Sequence, residues 1–142
     1  MIAVDTNVLV HAHRPESPHH ERALAELASL QQTRGSWGLP WPCVHEFLAT
    51  VTNGRIFRSP TPVPAALDAI AAVTRTAALL GEAADHLARL ERLLDSSGVT
   101  GAKVHDARIA AICLSHGVTE LWTADRDFSY FPELRTRNPL VA

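Results

Sequence analysis

Two short apolar runs in this chain each end on an aspartate. IAV at 2–4 leads into Asp5, and LWT at 121–123 is followed by Ala124 and Asp125. Between them lie segments of helical spacing. The first, SPHHERALAELASLQQ over 17–32, repeats Leu24, Leu27 and Leu30 at helical intervals and offers Ser17 as an N-cap. Short apolar strands alternating with helices predict a parallel sheet covered on both faces. Such sheets bind ligands beyond the carboxyl ends of their strands, so acids at two strand ends constrain both the fold and the place where its chemistry lies.

The rest of the chain keeps that alternation. SWGLP (36–40) reads as a second extended piece, and Pro42 as the first residue of a helix PCVHEFLATVTN. The proline-rich RIFRSPTPVP (55–64) is a connector. A helix over about 64–75, a small strand in AALL (77–80) and a helix AADHLARLERLLDSSG follow. Gly98 and Gly101 break the chain before a helix KVHDARIAAICLSHG that ends at Gly117. TELWT supplies a strand, and NPLVA (138–142) a last one. There is no internal repeat and no low-complexity linker, so 142 residues imply one domain spanning 1–142.

Composition excludes several classes. With 46 % hydrophobic and 20 % charged residues, the chain is an ordinary globular protein, with no apolar run near the roughly 20 residues of a membrane helix. MIAVDTNVLVHAH carries an acid within its apolar stretch and no basic leader, which implies no signal peptide and a cytoplasmic location. Cys43 and Cys113 are expected as buried reduced thiols; two cysteines without Cys-x-x-Cys spacing exclude a zinc ribbon. The net charge of −2 does not announce a nucleic-acid binder. Of the 13 basic residues 12 are Arg, which suits phosphate contacts, although a G- and C-rich genome gives the same bias.

Two further acids belong to the pattern. Glu46 sits in the first turns of its helix at the border of an apolar face, and Asp106 lies early in KVHDARIAAICL, sharing a side with Ala110 and Cys113. Each acid has an ordinary explanation. Asp5 is a natural cap for a helix beginning at Thr6, Glu46 a solvated first-turn acid, and Asp106 a partner for Lys103 or Arg108. Asp125 and Asp127 suit an Asx-turn. All of them facing one sheet edge by coincidence is a weaker explanation than a shared site, because acids beside a buried face are costly unless paired or metal-bound.

The ordered set Asp5-Thr6-Asn7, Glu46, Asp106-Ala107 and Thr123-Ala124-Asp125-Arg126-Asp127-Phe128 resembles the PIN-domain ribonucleases, and more narrowly the VapC-type toxins of type II toxin–antitoxin modules. The resemblance spans essentially the whole chain, with VDTNVLV and TADRDF its most specific parts. It implies a three-layer α/β/α sandwich with a mainly parallel sheet and an endoribonuclease dependent on Mg²⁺ or Mn²⁺. It also implies Asp5, Glu46, Asp106 and Asp125 as the catalytic and metal-holding quartet, with Asp127 as a supporting fifth acid. Thr6, Asn7 and Thr123 correspond to polar positions that order the acids. The partners implied are RNA, a small cognate antitoxin blocking the cleft, and a second copy of the chain in a homodimer.

The chemistry of the residues agrees. Carboxylates gathered together raise one another's pKa or bind a cation, and an oxygen-only donor set suits Mg²⁺ or Mn²⁺. A polyanionic substrate requires basic residues around the cleft, for which Arg14, Arg55, Arg58, Lys103, Arg108 and Arg126 are candidates. Trp37, Trp41 and Trp122 are expected in the core, although each has a face on which a base could stack. Phe128 is expected to plug and fix the acidic loop. Among the histidines, His45-Glu46 is not followed by His at 49, so no zincin motif exists. His11 and His13 are near enough to the first strand to line the cleft, His19 and His20 are expected at the surface, and His105 on another side of its helix from Asp106. A phosphoacceptor domain needs an adjacent acid pair after the first strand and a late lysine. Here Thr6-Asn7 follow Asp5, and the only lysine is Lys103. A haloacid-dehalogenase-type phosphatase needs Asp-x-Asp, but Asn7 occupies the second position. A catalytically inactive PIN-like RNA-binding or signalling module remains the alternative.

Overall fold

The structure, a computed structural model, describes residues 1–32 and 36–142. Its frame is a five-stranded, wholly parallel sheet of order β3-β2-β1-β4-β5. The strands are β1 (Ile2–Val4), β2 (Trp37–Pro40), β3 (Ala78–Leu80), β4 (Glu120–Trp122) and β5 (Thr136–Arg137). The helices are α1 (Thr6–His13), α2 (His20–Gln31), α3 (Trp41–Val51), α4 (Val63–Val73), α5 (His86–Ser97) and α6 (Val104–Ser115). A 3-10 turn, Gly101–Lys103, leads into α6, and another spans Arg126–Tyr130.

The period-two alternation of strand side chains sorts the sheet's residues into two cores. Ala3 and Leu121 face a core built with Leu93, Ile112, Phe128 and Phe131, while Val4, Trp37, Leu39 and Trp122 face one built with Leu9, Leu27, Phe47 and Ala66. Helices α5 and α6 thus cover one face and α1 to α4 the other, giving the α/β/α sandwich. Both cysteines are buried and free. Gly98 and Gly117 end α5 and α6 with φ of 70°, a backbone conformation that favours glycine.

Three expectations are corrected. The last strand is Thr136–Arg137, which pairs with β4, rather than NPLVA; Pro139 has no N–H to give a ladder. Ser17 does not cap α2, which begins at His20; its hydroxyl instead bonds the His11 ring at 2.6 Å and accepts from His19 N. Trp41 is not in the core. It opens α3 with 41 % of its surface exposed, whereas Trp37 and Trp122 are buried.

β1 occupies the centre, flanked by β2 and β4, with Ala3 opposite both Gly38 and Leu121, and Val4 opposite Trp122. This placement sets Asp5 and Thr123 side by side at the carboxyl edge, and the chain order changes direction there. Gly38 matters to the register of β2 on β3. A Cβ at that position would lie 2.9 Å from Leu80 Cδ1 and 3.1 Å from the Ala78 carbonyl oxygen. Gly38→Ala is expected to destabilise the protein by about 1–3 kcal/mol in urea unfolding.

Candidate active site

Asp5 is the innermost acid, with 5 % of its surface exposed. It is the N-cap of α1 through its Oδ1, which accepts from Thr6 N at 2.8 Å, so the capping explanation and the clustering explanation both hold. The Cys43 thiol also donates to Oδ1, at 3.4 Å. Oδ2 accepts from the Thr123 hydroxyl at 2.7 Å and from Asn7 Nδ2 at 3.1 Å. Four donors therefore hold one carboxylate in a fixed orientation.

The same polar residues tie Asp5 to its neighbours. The Thr6 hydroxyl reaches Glu46 Oε2 at 3.1 Å, bridging α1 to the second turn of α3. Thr123 Oγ1 accepts from Asp125 N at 3.0 Å, and Asn7 Oδ1 accepts from Ala124 N at 3.0 Å. The strand-end loop is thus hung on the cap of α1. Asp125 Oδ1 in turn accepts from Asp127 N at 2.8 Å, the expected Asx-turn, which starts the 3-10 turn and lets Phe128 bury itself in the core.

That turn changes the ranking of the acids. One oxygen from each of Asp106, Asp125 and Asp127 lies within 4.8 Å of the others. The turn folds Asp127 back beside Asp106, on the outer side of the cleft. Lys103 pairs with Asp127 at 2.8 Å, and Arg108 pairs with Glu82 at 2.7 Å, so neither cation takes Asp106. Asp106 accepts no hydrogen bond among the described residues.

The acids line a two-part cleft. An inner hollow of about 250 Å³ is bounded by Asp5, Thr6, Asn7, His11, Glu46, Asp106 and Asp125. An outer one of about 730 Å³ shares Glu46, Asp106 and Ile109 with it and extends along His45, Lys103, His105, Arg108 and Asp127. Burial pushes the Asp5 carboxyl up against the pull of its donors, with Asp125 adding to the rise. Glu46 is raised by burial and by the Asp5 charge. Asp106 is pushed up to about 6, first by burial and then by the charges of Asp125, Asp5 and Asp127. Burial likewise pushes the Cys43 thiol well up and the Cys113 thiol up to about 12, so both stay protonated as packing groups, and Cys43 donates to Asp5.

This donor set fits a hard divalent cation. It presents carboxylate oxygens alone, crowded to the point where proton affinity rises, and no histidine or thiol belongs to the Asp106–Asp125–Asp127 group.

The other candidates divide. Lys103 and Arg108 line the outer hollow. Arg14 does not: its guanidinium is taken by Glu16, Thr61 and the Ser59 carbonyl, and it stacks on Phe57 at 4.1 Å, pinning the proline-rich connector. Arg58 lines a separate hollow beside Arg14, and Arg126 is exposed and lines neither half of the cleft. His11 does line the inner hollow, while His13 bonds Thr61 at 2.9 Å and packs on Phe47. His19 and His20 are half-buried rather than exposed, the latter bonding the His11 carbonyl oxygen at 3.0 Å. His105 lines the outer hollow together with Asp106. Sequence reasoning also missed His45 as a cleft residue, although its place next to Glu46 was a signal.

The PIN domain family profile matches residues 2–134. The chain belongs to the PIN-domain family. Among curated PIN relatives, ribonuclease VapC43 of Mycobacterium tuberculosis (strain H37Rv) is 35 % identical, with 99 % of this chain and 96 % of that protein covered. Ribonuclease VapC31 of the same organism is 32 % identical, covering 98 % and 99 %. Solved structures share the PIN fold: FitAcB from Neisseria gonorrhoeae has a TM-score of 0.73 at 23 % identity, covering 98 % of each chain. M. tuberculosis VapC20, described as a sarcin-ricin loop cleaving toxin, has a TM-score of 0.68 at 20 % identity, covering 91 % of this chain and 93 % of that one. All five clustered acids of this PIN domain fall within the matched residues.

The raised Asp106 carboxyl has a consequence for stability. A folded-state pKa above the unfolded one favours folding fully only below the unfolded value, and the advantage is lost as pH rises through the folded value near 6. At pH 7.5 in chelator, Asp106→Asn is therefore expected to be more stable than the unaltered protein by about 1–2 kcal/mol, allowing for solvent screening of this half-buried group. The gain should shrink towards zero near pH 4. Thermal unfolding across that range checks both the sign and the window.

Proposed function

We propose that this chain, acting as one domain, is a Mg²⁺- or Mn²⁺-dependent endoribonuclease and the toxin of a type II toxin–antitoxin module. The observation that carries the reading is the meeting of Asp5, Glu46, Asp106, Asp125 and Asp127 at the carboxyl edge of the sheet, with Asp106 pushed up to about 6. Full-length relatives named VapC ribonucleases support the activity.

Oxygens of Asp106, Asp125 and Asp127, with Asp5 and Glu46 facing the same space, would hold the cation, which when bound neutralises the phosphate and supplies Lewis acidity. Asp5, fixed by four donors, sets the floor of the cleft. Glu46, raised by burial and oriented by Thr6, takes a proton from the attacking water. Attack at phosphorus breaks the P–O3′ bond, and the departing oxygen takes a proton from solvent. The products are a 3′-hydroxyl and a 5′-phosphate. Lys103 and Arg108 on the outer hollow contact flanking phosphates, since rim ion pairs are weak enough to exchange.

The same cleft would be covered by a small cognate antitoxin, and the protein would work as a cytoplasmic homodimer. Among the described residues no helix is long and apolar enough to cross a membrane. The test is incubation of antitoxin-free protein with a mixed RNA pool in Mg²⁺, in Mn²⁺ and in EDTA. Cleavage is expected only with metal, and Asp5→Asn or Asp106→Ala should reduce it by about 10- to 100-fold. Metal-independent cleavage would contradict the metal dependence, and no cleavage at all by folded protein would favour an inactive binding module instead.

A further inference from the structure

We propose that Trp41 and His45 form an aromatic shelf that stacks an unpaired nucleobase of the RNA substrate at the outer end of the acidic cleft. The proposal rests on the ribonuclease reading and adds a stacking site to it. Three tryptophans are present, and they differ in a way that singles one out. Trp37 and Trp122 are buried, and their indole N–H groups bond Thr76 Oγ1 at 3.1 Å and Glu120 Oε1 at 3.0 Å. Trp41 is 41 % exposed, and its N–H has no protein partner among the described residues. Trp41 lines neither hollow itself and reaches the cleft through its ring contact with His45, which does line the outer one.

Its surroundings select the occupant. The Trp41 and His45 rings lie 5.7 Å apart and only 33° from parallel, one helical turn from each other on α3. A Cβ added at Gly81 would sit 3.8 Å from Trp41 Cδ1, so the turn after β3 supports one edge of the indole. His45 lines the outer hollow together with Lys103 and Arg108, so the shelf continues into a wall carrying two cations. An exposed indole face beside a second, tilted ring and two exchangeable cations matches a base with its phosphates, since base–aromatic stacking combines with backbone charge contacts in single-strand binding. A purely apolar peptide would leave those cations unused. Trp41 lies five residues from Glu46, about 7.5 Å along the helix axis.

The experiment uses the full chain carrying Asp106→Asn, to prevent cleavage, with Mg²⁺ and a fluorescently labelled, unstructured RNA decamer of mixed sequence. RNA is expected to quench tryptophan emission, and the quench should vanish in Trp41→Phe. Affinity by anisotropy should fall by about 5- to 100-fold in Trp41→Ala and by less than about threefold in Trp41→Phe, which keeps a stacking ring. Thermal melting establishes that both variants are folded. Unchanged affinity in Trp41→Ala overturns the shelf, as does an equal loss in Trp41→Phe or a quench that survives it. Unchanged RNA affinity with weakened binding of the cognate antitoxin would also overturn it, assigning the face to protein. RNA cleavage by the unaltered protein is measured in parallel: its absence defeats the ribonuclease reading, whereas cleavage with a silent Trp41→Ala defeats only the shelf.

Discussion

A carboxylate buried at the end of the central strand organises this protein. Asp5 follows β1 directly, and four donors from α1, α3 and the end of β4 converge on its two oxygens. A buried charge without such partners would not be tolerated, so the residues that satisfy Asp5 are fixed in place by the same requirement. Thr123 illustrates the economy of the arrangement. One hydroxyl donates to Asp5, accepts from Asn7, and accepts from the Asp125 amide that begins the acidic loop. The position of Asp125 is therefore set from Asp5, through the pairing of two parallel strands.

Four donors do not fully offset the cost. Asp5, Glu46 and Asp106 all hold protons more tightly than free carboxyls, because burial and mutual repulsion outweigh the hydrogen bonds available. Among the described residues, the cation paired with the acidic loop is Lys103, held by Asp127 at the rim. The fold thus brings like charges together at the switch point of the sheet and leaves their repulsion to be relieved from outside. Strain of this kind is expected where a site is built for a cation and a polyanionic substrate.

Much of this was legible in the sequence, because strand-then-acid is a local pattern and the sheet merely collects its instances. IAV-Asp5 and LWT-Ala124-Asp125 mark the two central strands and their edge, and the family resemblance implies Asn7 and Thr123 as ordering residues. What escaped depended on backbone detail or on exposure. Asp127 looks peripheral in a linear reading, and only the Asx-turn on Asp125 brings it back to Asp106. Trp41 reads as core from its position next to β2, although at the start of α3 it is 41 % exposed. Arg14 had the right charge and proximity in sequence, yet its donors are spent on Glu16 and on Thr61 and the Ser59 carbonyl of the proline-rich connector.

The central claim is that the clustered acids form one cation site whose repulsion the metal-free fold must bear. Its most direct test is the melting temperature of the unaltered protein at pH 7.5 as Mg²⁺ is added after chelation, at constant ionic strength. Binding to the folded state alone should raise the Tm progressively, by at least ~3 °C well above the dissociation constant. A Tm that stays flat with Mg²⁺ and with Mn²⁺ would contradict the account.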